Sequence, residues 1–295
     1  MNKKSLIIVL LSCLLVAAVL IILSLYLGKN DGGADTEKKP DVAIEEVEGR
    51  GGQPPAPVWG SEPVATSNNG ISVTAPAPYS EVASPVIVAG RAIAFENTVS
   101  LVVRDERGVI RGSGFATADA PDVGQSGAYR TAVAFNAAPG TILYVEVFES
   151  SAKDGLPIHM VRIPVRVAQK TSSYSVFLAK EGGQGCPRTF EIRRAAPATV
   201  GVARASLEHV FAGSTREEWE QGYRSFVPME TKIGQLMIEG GVATLDFSSY
   251  SIPEGACAAD TARVQIEKTL LQFATVTSVK LSVNGNADVF LQEVR

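Results

Sequence analysis

The sequence predicts a membrane-spanning helix followed by two folded parts, an all-β sandwich and an α+β domain. Three patterns lead to this fold class: a long uncharged apolar run near the N-terminus, period-two alternation of apolar and polar residues in the middle, and mixed helical and strand periods in the last third. A chain of 295 residues has room for one or two domains after the N-terminal segment.

Residues 1–27 are predicted to form a cytoplasmic stub and a transmembrane anchor. Lys3 and Lys4 precede an uncharged run at residues 5–27. As a helix this run covers about 34 Å, enough for a hydrocarbon core of about 30 Å. It is longer than the apolar part of a signal peptide and ends without a small-x-small cleavage site. We therefore expect an uncleaved, single-pass protein of the cell membrane, with its N-terminus in the cytoplasm and its domains outside.

A lipoprotein is the alternative for this segment. Leu10-Leu-Ser-Cys13 resembles a lipoprotein processing box, so acylation at Cys13 stays open. Against it, a long and mostly apolar stretch continues after Cys13.

Residues 28–70 are predicted to be a disordered linker. Charged residues alternate there with Gly, Pro, Ser and Asn, without a sustained apolar period. Such a segment cannot bury enough apolar surface to offset the entropy lost on ordering.

Residues 71–168 are predicted to form the sandwich. Apolar residues alternate with polar ones at 99–103, 143–147 and 161–167, and turn residues separate these runs. One buried and one solvated face is typical of antiparallel sheets, and about seven short strands indicate a β-sandwich. Pro164 should lie at an edge or a bulge, because proline cannot donate to a ladder.

Residues 172–295 are predicted to form the α+β domain, a sheet covered by helices. A capping box at Ser214–Glu217 opens a short helix through Tyr223. Apolar residues from Ala259 to Phe273 follow helical spacing. The other predicted elements are strands at 174–178 and 189–193, a helix at 203–211, a hairpin of 232–238 with 242–247, and a C-terminal hairpin of 278–283 with 289–291.

Composition excludes one class of partner and predicts one covalent bond. The net charge is −4 and no long basic run is present, which argues against a nucleic-acid partner. Of three cysteines, Cys13 lies in the apolar run, which leaves Cys186 and Cys257 as a pair. In an oxidising compartment this pair most simply forms a structural disulfide.

The two folded parts resemble a known pair of bacterial modules. Residues 71–168 resemble the immunoglobulin-like domain associated with spore-germination proteins, and residues 172–294 resemble the GerMN (Germane) sporulation/germination domain. The residues that carry the first resemblance are Ser84-Pro85, Gly90-Arg-Ala, Ala94-Phe95-Glu96, Asp105 with Gly108, Val145-Glu-Val-Phe-Glu, Asp154-Gly155 and Ile163-Pro-Val165. Those of the second are Ala203-x-x-x-Leu207, Ala212-Gly213, Gln221-Gly-Tyr223, Pro228, the run 238–247 and the run 265–270.

This resemblance implies an exported envelope protein with an immunoglobulin-like sandwich, and it assigns no biochemical activity. Some relatives of the second module belong to assemblies that bridge membranes. A scaffold role is therefore implied by analogy only.

No residue set in the sequence predicts a catalytic, cofactor or metal site. Nucleophilic catalysis needs a positioned base, and the two histidines, His159 and His209, are expected at the surface or at a helix cap. Two histidines in different domains also make a zinc site improbable.

Paired carboxylates are the remaining route to catalysis, by glycan hydrolysis. The candidate pairs are Glu217 with Glu218 and Glu96 with Asp105. Capping accounts for Glu217, a solvated helix face for Glu218 and a turn for Asp105. Glu96, after Phe95 at a strand end, stays a candidate binding residue.

Trp219 and Tyr223 are the other candidate binding residues. Four residues apart in a predicted helix, they would share one face. Core packing is the main interpretation, and an exposed aromatic patch for a partner or glycan is the alternative.

The sequence therefore predicts a non-enzymatic envelope module that binds protein partners or associates with itself. A receptor for a small molecule or a peptidoglycan fragment is the second hypothesis, and it requires a concave pocket. A cell-wall hydrolase is the third.

Overall fold

The computed structural model describes residues 59–60, 62–122, 124–180 and 185–290. The predicted membrane helix, Cys13 and most of the predicted linker lie outside these residues. Among the described residues, no helix is both long and apolar enough to cross a membrane. The described residues belong to one compact unit, which is β-rich and has few helices.

Eight strands build the first part, in two facing sheets of order β1-β3-β6 and β2-β8-β7-β4-β5. All pairs are antiparallel except β2 with β8. The strands are β1 (Ile71–Ala75), β2 (Glu81–Val82), β3 (Val86–Ala92), β4 (Thr98–Asp105), β5 (Ile110–Thr117), β6 (Gly127–Val133), β7 (Ile142–Ser150) and β8 (Pro157–Val167).

The alternating residues fill the space between the two sheets, as the period-two pattern predicts. Leu101 on β4, Leu143 on β7 and Ile163 on β8 are almost completely buried. Strand β2 is too short to reach Pro164, so no described strand pairs with β8 on that side of the proline. The carbonyl oxygen of Pro164 accepts from the backbone nitrogen of Tyr79 at 2.6 Å. The proline therefore occupies an edge position, as predicted.

The predicted linker is too long at its C-terminal end. Val64 packs against the sandwich core, and the backbone nitrogen of Val73 donates to the carbonyl oxygen of Thr66 at 2.8 Å. The ring of Trp59 packs edge-on against Tyr79, and the guanidinium of Arg166 lies over the Trp59 ring. These contacts fix the chain to the sandwich before residue 70.

The second part contains two three-stranded sheets, of order β10-β9-β11 and β12-β13-β14, and three helices. Their apolar faces share one core that includes Leu178, Leu207, Phe247 and Ile266. The elements are β9 (Thr171–Lys180), β10 (Arg188–Pro197), α1 (Val202–Ala212), α2 (Arg216–Glu220), β11 (Tyr223–Arg224), β12 (Lys232–Glu239), β13 (Val242–Ser249), α3 (Ala256–Leu271) and β14 (Ser278–Val283).

Helix α3 covers the edge of β9 with polar side chains. Strand β11 pairs with only the last two residues of β9. Beyond it, the Gln272 amide bonds both backbone groups of Ser175, at 2.7 and 2.6 Å. The hydroxyl of Thr269 accepts from the backbone nitrogen of Phe177 at 3.3 Å, and the amide of Gln265 donates to the carbonyl oxygen of Phe177 at 3.0 Å. One stripe of the helix thus replaces a missing strand.

Two local predictions are wrong. The C-terminal hairpin does not form, because residues Asp288–Phe290 adopt a 3-10 turn; Leu291 lies outside the described residues. The capping box starts one residue later than predicted, at Thr215. The hairpin β12–β13 and the helices α1 and α3 are present, as predicted.

Candidate functional site at the interface between the two domains

His209 joins the α+β domain to the sandwich. It lies in the last turn of α1 and is 4% exposed. Its Nε2 lies 3.1 Å from the carbonyl oxygen of Pro85, and its Nδ1 lies 2.6 Å from the hydroxyl of Tyr174. The expected surface or cap position is therefore wrong, since residues distant in sequence enclose the ring.

These contacts determine the protonation of His209. A neutral imidazole carries one proton, and with that proton on Nε2 the ring donates to the carbonyl oxygen of Pro85, which can only accept. Nδ1 then accepts from the Tyr174 hydroxyl, its shortest contact, and the carbonyl oxygen of Ala205 lies 3.2 Å from the same nitrogen. Burial lowers the pKa of His209, whereas the hydrogen bond to Pro85 raises it by a smaller amount. The charge of Arg194 lowers this pKa further, and that of Glu218 acts against it. The interface thus holds a neutral imidazole with both nitrogens engaged.

Trp219 also contacts the sandwich. Its ring packs edge-on against Phe115 of β5, with centroids 5.2 Å apart, and Arg224 lies over it at 4.4 Å. Core packing is therefore the wrong interpretation for Trp219, which is 46% exposed. Helix α2 ends before Tyr223, so the two rings share no helix face. Tyr223 is half-buried on β11, with its ring 6.0 Å from that of Phe190.

An ion pair between a buried arginine and a half-buried glutamate fixes α2, which carries Trp219. Arg194 donates to both carboxylate oxygens of Glu218, at 2.7 and 2.5 Å. Glu218 also accepts from the backbone nitrogen of Thr215 at 2.8 Å, which completes the capping box. The predicted roles of the two glutamates are reversed, and Glu217 is the exposed one. The sequence could not separate them, because Ser214 and Thr215 are each followed by Glu three residues later.

Polar contacts continue along the same interface. Arg91 on β3 pairs with Glu230 at 3.0 Å, and both side chains are more than half exposed. Arg130 on β6 donates to the carbonyl oxygen of Thr231 at 3.4 Å and lies 6.0 Å from the ring of Phe211. An exposed ion pair such as Arg91–Glu230 adds little stability.

A pocket of about 320 Å³ opens beside His209 and has walls from both domains. Its lining is mostly alanine, proline and valine, and its polar groups are Ser80, Glu81, Glu208 and His209. Domain interfaces and mostly apolar walls with a few polar groups are typical of small-molecule sites.

A larger groove of about 710 Å³ lies within the α+β domain, between α3 and β14. On the helix side Arg263 pairs with Asp260 at 2.6 Å and with Glu267 at 3.0 Å. At one end the rings of Tyr250 and Phe290 lie 5.0 Å apart. Burial raises the pKa of Tyr250 to about 12. The groove thus combines an aromatic end with an ion-paired wall.

Glu96 lies apart from both cavities. It is exposed in the turn Phe95–Asn97, with φ of 52°, and lines neither the pocket nor the groove. Within the described part of the chain, no hydrogen bond or ring contact joins Glu96 to Trp219 or Tyr223. The structure therefore does not assemble the three predicted binding residues into one site.

His159 belongs to the same end of the sandwich as Glu96. Its Nδ1 lies 3.1 Å from one oxygen of Glu149, whose other oxygen accepts from the backbone nitrogen of Phe95 at 2.7 Å. The imidazole is half exposed and helps to hold the turn that carries Glu96. This is the surface position that the sequence predicts.

The predicted disulfide joins Cys186 and Cys257, with Cα atoms 5.0 Å apart. It connects the approach to β10 with the first turn of α3. This separation lies within the range that disulfides require. In the described ranges, no group of three or more His, Cys, Asp or Glu side chains is arranged to hold a metal ion.

Two family models match the chain. Residues 70–156 match the immunoglobulin-like domain of bacterial spore germination. Residues 175–289 match the Germane model, described as sporulation and spore germination. No curated protein matches the chain in sequence.

Solved structures match part of the chain. The first GerMN domain of the sporulation protein GerM from Bacillus subtilis is 22% identical, with 39% of this chain and 85% of that chain covered and a TM-score of 0.31. The tandem GerMN domains of the same protein are also 22% identical, with 40% of this chain and 41% of that chain covered and a TM-score of 0.32. By the family models, the chain carries in tandem a region that matches the immunoglobulin-like domain of bacterial spore germination and a region that matches the sporulation and spore germination (Germane) domain.

Proposed function

We propose that the chain is a membrane-anchored protein of the bacterial cell envelope whose domains lie outside the cytoplasm and bind partner proteins without catalysing a reaction. The uncharged run at residues 5–27 supports the anchor, and the lysines before it support the orientation. The disulfide Cys186–Cys257 fits an oxidising compartment. The descriptions of the two matching family models support a role in sporulation or germination.

The groove between α3 and β14 is the observation that carries the binding role. Three consecutive residues of β14, Val279, Lys280 and Leu281, line it. Side chains of a strand alternate between faces, so consecutive lining residues mean that the groove meets the edge of the strand. Among the described strands, only β13 pairs with β14. An extended segment of a partner would add to this edge and place side chains against Tyr250 and Phe290.

The groups that a hydrolase would use have structural roles, which favours binding over catalysis. Asp105 accepts from the backbone nitrogens of Arg107 and Val109, and its other oxygen binds Arg111 at 2.6 Å. Glu218 binds Arg194, and His209 is enclosed at the interface. None of these side chains is free to act as an acid or a base.

A receptor for a small molecule or peptidoglycan fragment is the second candidate, favoured by the pocket beside His209. Ala205→Trp would fill that pocket from α1. A muropeptide that raises the melting temperature of the unaltered protein, but not of Ala205→Trp, would support the receptor role.

Photo-crosslinking in intact cells tests the partner role. A photoreactive residue in place of Lys280 should give a discrete protein adduct, and Ala259→Trp, which narrows the groove from α3, should remove it. The matched control is the same residue in place of Lys153, on an exposed turn of the sandwich. Identical adducts at both positions, or none at position 280, would count against the groove as a binding site.

Fractionation tests the anchor separately. The full chain should stay in the membrane pellet after a high-salt wash and keep its N-terminus. A soluble form that begins near residue 30 would contradict the anchor, and a form that begins at an acylated Cys13 would establish a lipoprotein instead.

A further inference from the structure

Strand β12 is an uncovered edge of the α+β domain. Among the described strands it pairs only with β13. Met237 is 44% exposed and Ile238 is 37% exposed, although Ala243 of β13, directly opposite Ile238, is fully buried. The apolar residues of this strand are therefore left half-covered at the edge of a well-packed core.

The open edge of β9 in the same domain is treated differently. Gln265 and Thr269 of α3 bond the backbone groups of Phe177 in β9, and Gln272, the residue that caps α3, bonds those of Ser175. Proteins also protect edge strands with proline, central charges or bulges. The pairing of β12 with β13 is irregular between Lys232 and Gln235, and residues 235–239 form a regular segment whose one charge is at its end, Glu239. This segment is suited to pair with another strand.

The two faces of this segment make it complementary to itself. Leu236 and Ile238 lie opposite Leu245 and Ala243, on the core side of the sheet. Gln235, Met237 and Glu239 lie on the other side, because side chains alternate along a strand. In an antiparallel pair centred on Met237, Leu236 would face Ile238 and Gln235 would face Glu239.

We propose that β12 pairs antiparallel with β12 of a second copy of this chain, across a two-fold axis at Met237. Each copy then sets apolar Leu236 against apolar Ile238 on the core side. On the outer side the amide of Gln235 donates to the carboxylate of Glu239, and the two Met237 side chains meet. A shift by one residue in both strands would place Gly234 opposite Ile238 and lose this match.

Membrane tethering strengthens such a contact. Two strands in edge contact make a small interface, of the size class that is weak between free proteins. Anchoring both copies in one membrane raises their effective concentration. Only this strengthening rests on the proposed anchor, since the pairing itself is a property of β12.

Cysteine crosslinking of the full-length protein tests the register. In a Cys13→Ser background, Met237→Cys places two thiols directly opposite each other, with Cβ atoms about 4.5–5.5 Å apart. Mild oxidation should give a dimer in native membranes or in detergent. Thr244→Cys, on the neighbouring strand, is the matched control, because the two copies of this position would lie about 14 Å apart. It should remain monomeric.

A charge variant tests the same contact in solution. Met237→Lys places two ammonium groups opposite each other and should raise the dimer dissociation constant at least about tenfold in analytical ultracentrifugation. Met160→Lys, at a similarly exposed methionine of the sandwich, should leave that constant unchanged. The inference is wrong if Met237→Cys crosslinks neither in native membranes nor in detergent. It is also wrong if Thr244→Cys crosslinks as well as Met237→Cys does. Neither result bears on the anchor or on the adduct at position 280, which test the proposed function.

Discussion

The two domains bury different kinds of side chain. The sandwich core is almost entirely aliphatic, from alternating positions of its strands. The α+β domain encloses one amide, several hydroxyls, an arginine and a histidine together with its apolar core. Among the described residues, the buried polar or charged ones are Asp105, Thr131, Glu146 and Glu149 in the sandwich, and Ser175, Arg194, Ser206, His209, Thr215, Thr231, Thr261, Gln265 and Thr269 in the α+β domain.

This difference has a physical origin in the sheets. The longer strands of the sandwich mostly satisfy one another's backbone groups. In the α+β domain, β11 covers only two residues of β9, so side chains of α3 must satisfy the rest. Because an unpaired buried backbone group is costly, these polar side chains are as necessary to the fold as the apolar ones.

Removal of the disulfide should have the largest effect, and only on the α+β domain. In Cys186→Ser/Cys257→Ser the unfolded chain regains the freedom of a loop whose ends are 71 residues apart. Chain entropy gives a loss of up to about 4 kcal/mol for this domain. Hydrogen exchange followed by mass spectrometry should show reduced protection in β9–β14 and unchanged protection in β1–β8. Equal loss in both parts would mean that the two domains unfold together, against the predicted division into 71–168 and 172–295.

Gln265→Leu should have the next largest effect. The change leaves the nitrogen of Phe226 and the carbonyl oxygens of Phe177 and Arg224 without their partner in a fully buried place. At the lower limit of about 1 kcal/mol for each of the three buried groups left unpaired, we expect a loss of about 3 kcal/mol. Urea unfolding measures it. The exposed Gln221→Leu is the control and should stay within about 0.5 kcal/mol of the unaltered protein.

The loss of stability in Leu101→Ala is the value to compare with the loss in Gln265→Leu. It removes apolar contacts from the sandwich and should cost about 2–5 kcal/mol, as buried leucines do. A polar residue of α3 would then matter about as much as an aliphatic core residue of β4. If Gln265→Leu is neutral or stabilising, the polar cover of β9 is not needed and the contrast between the domains fails.

The sequence predicts the sandwich better than the α+β domain for the same reason. In a strand with one buried face every second residue is buried, so the alternating pattern identifies Leu101, Leu143 and Ile163 as core residues. Gln265 and Thr269 resemble surface residues of an amphipathic helix, because nothing local shows which strand they meet. Their roles depend on β9, about 90 residues earlier in the chain.

The candidate site shows the same limit. The disulfide could be predicted by counting cysteines, whereas the domain interface could not, since it joins residues more than 100 positions apart. One signal was present for Trp219: a large ring in a helix of only a turn or so, too short to bury it. No local pattern distinguishes His209 from a surface histidine, because its partners Pro85 and Tyr174 come from other elements.

The interface should respond to acid, with a smaller effect than the two substitutions in the α+β domain. The folded state lowers the pKa of His209 below its usual 6.5, chiefly through burial. As pH falls through about 6.5, the unfolded chain takes up a proton at this position and the folded chain does not. The contribution of His209 to stability is therefore complete above that pH and decreases below it, until the lower pKa of the folded state is passed.

His209→Gln isolates this contribution. A glutamine amide would still donate to the carbonyl oxygen of Pro85 but cannot ionise, so the variant should lose less stability than the unaltered protein between pH 7 and pH 5. Tyr174→Phe is the matched control: it removes the hydroxyl that donates to Nδ1 but keeps the ionisable ring, and so should keep the pH dependence at a lower overall stability. Urea unfolding at each pH measures all three proteins. An equal slope in the unaltered protein and in His209→Gln would show that protonation of other groups governs the acid response. The α+β domain would then use its buried histidine only as a hydrogen-bonded contact to the sandwich.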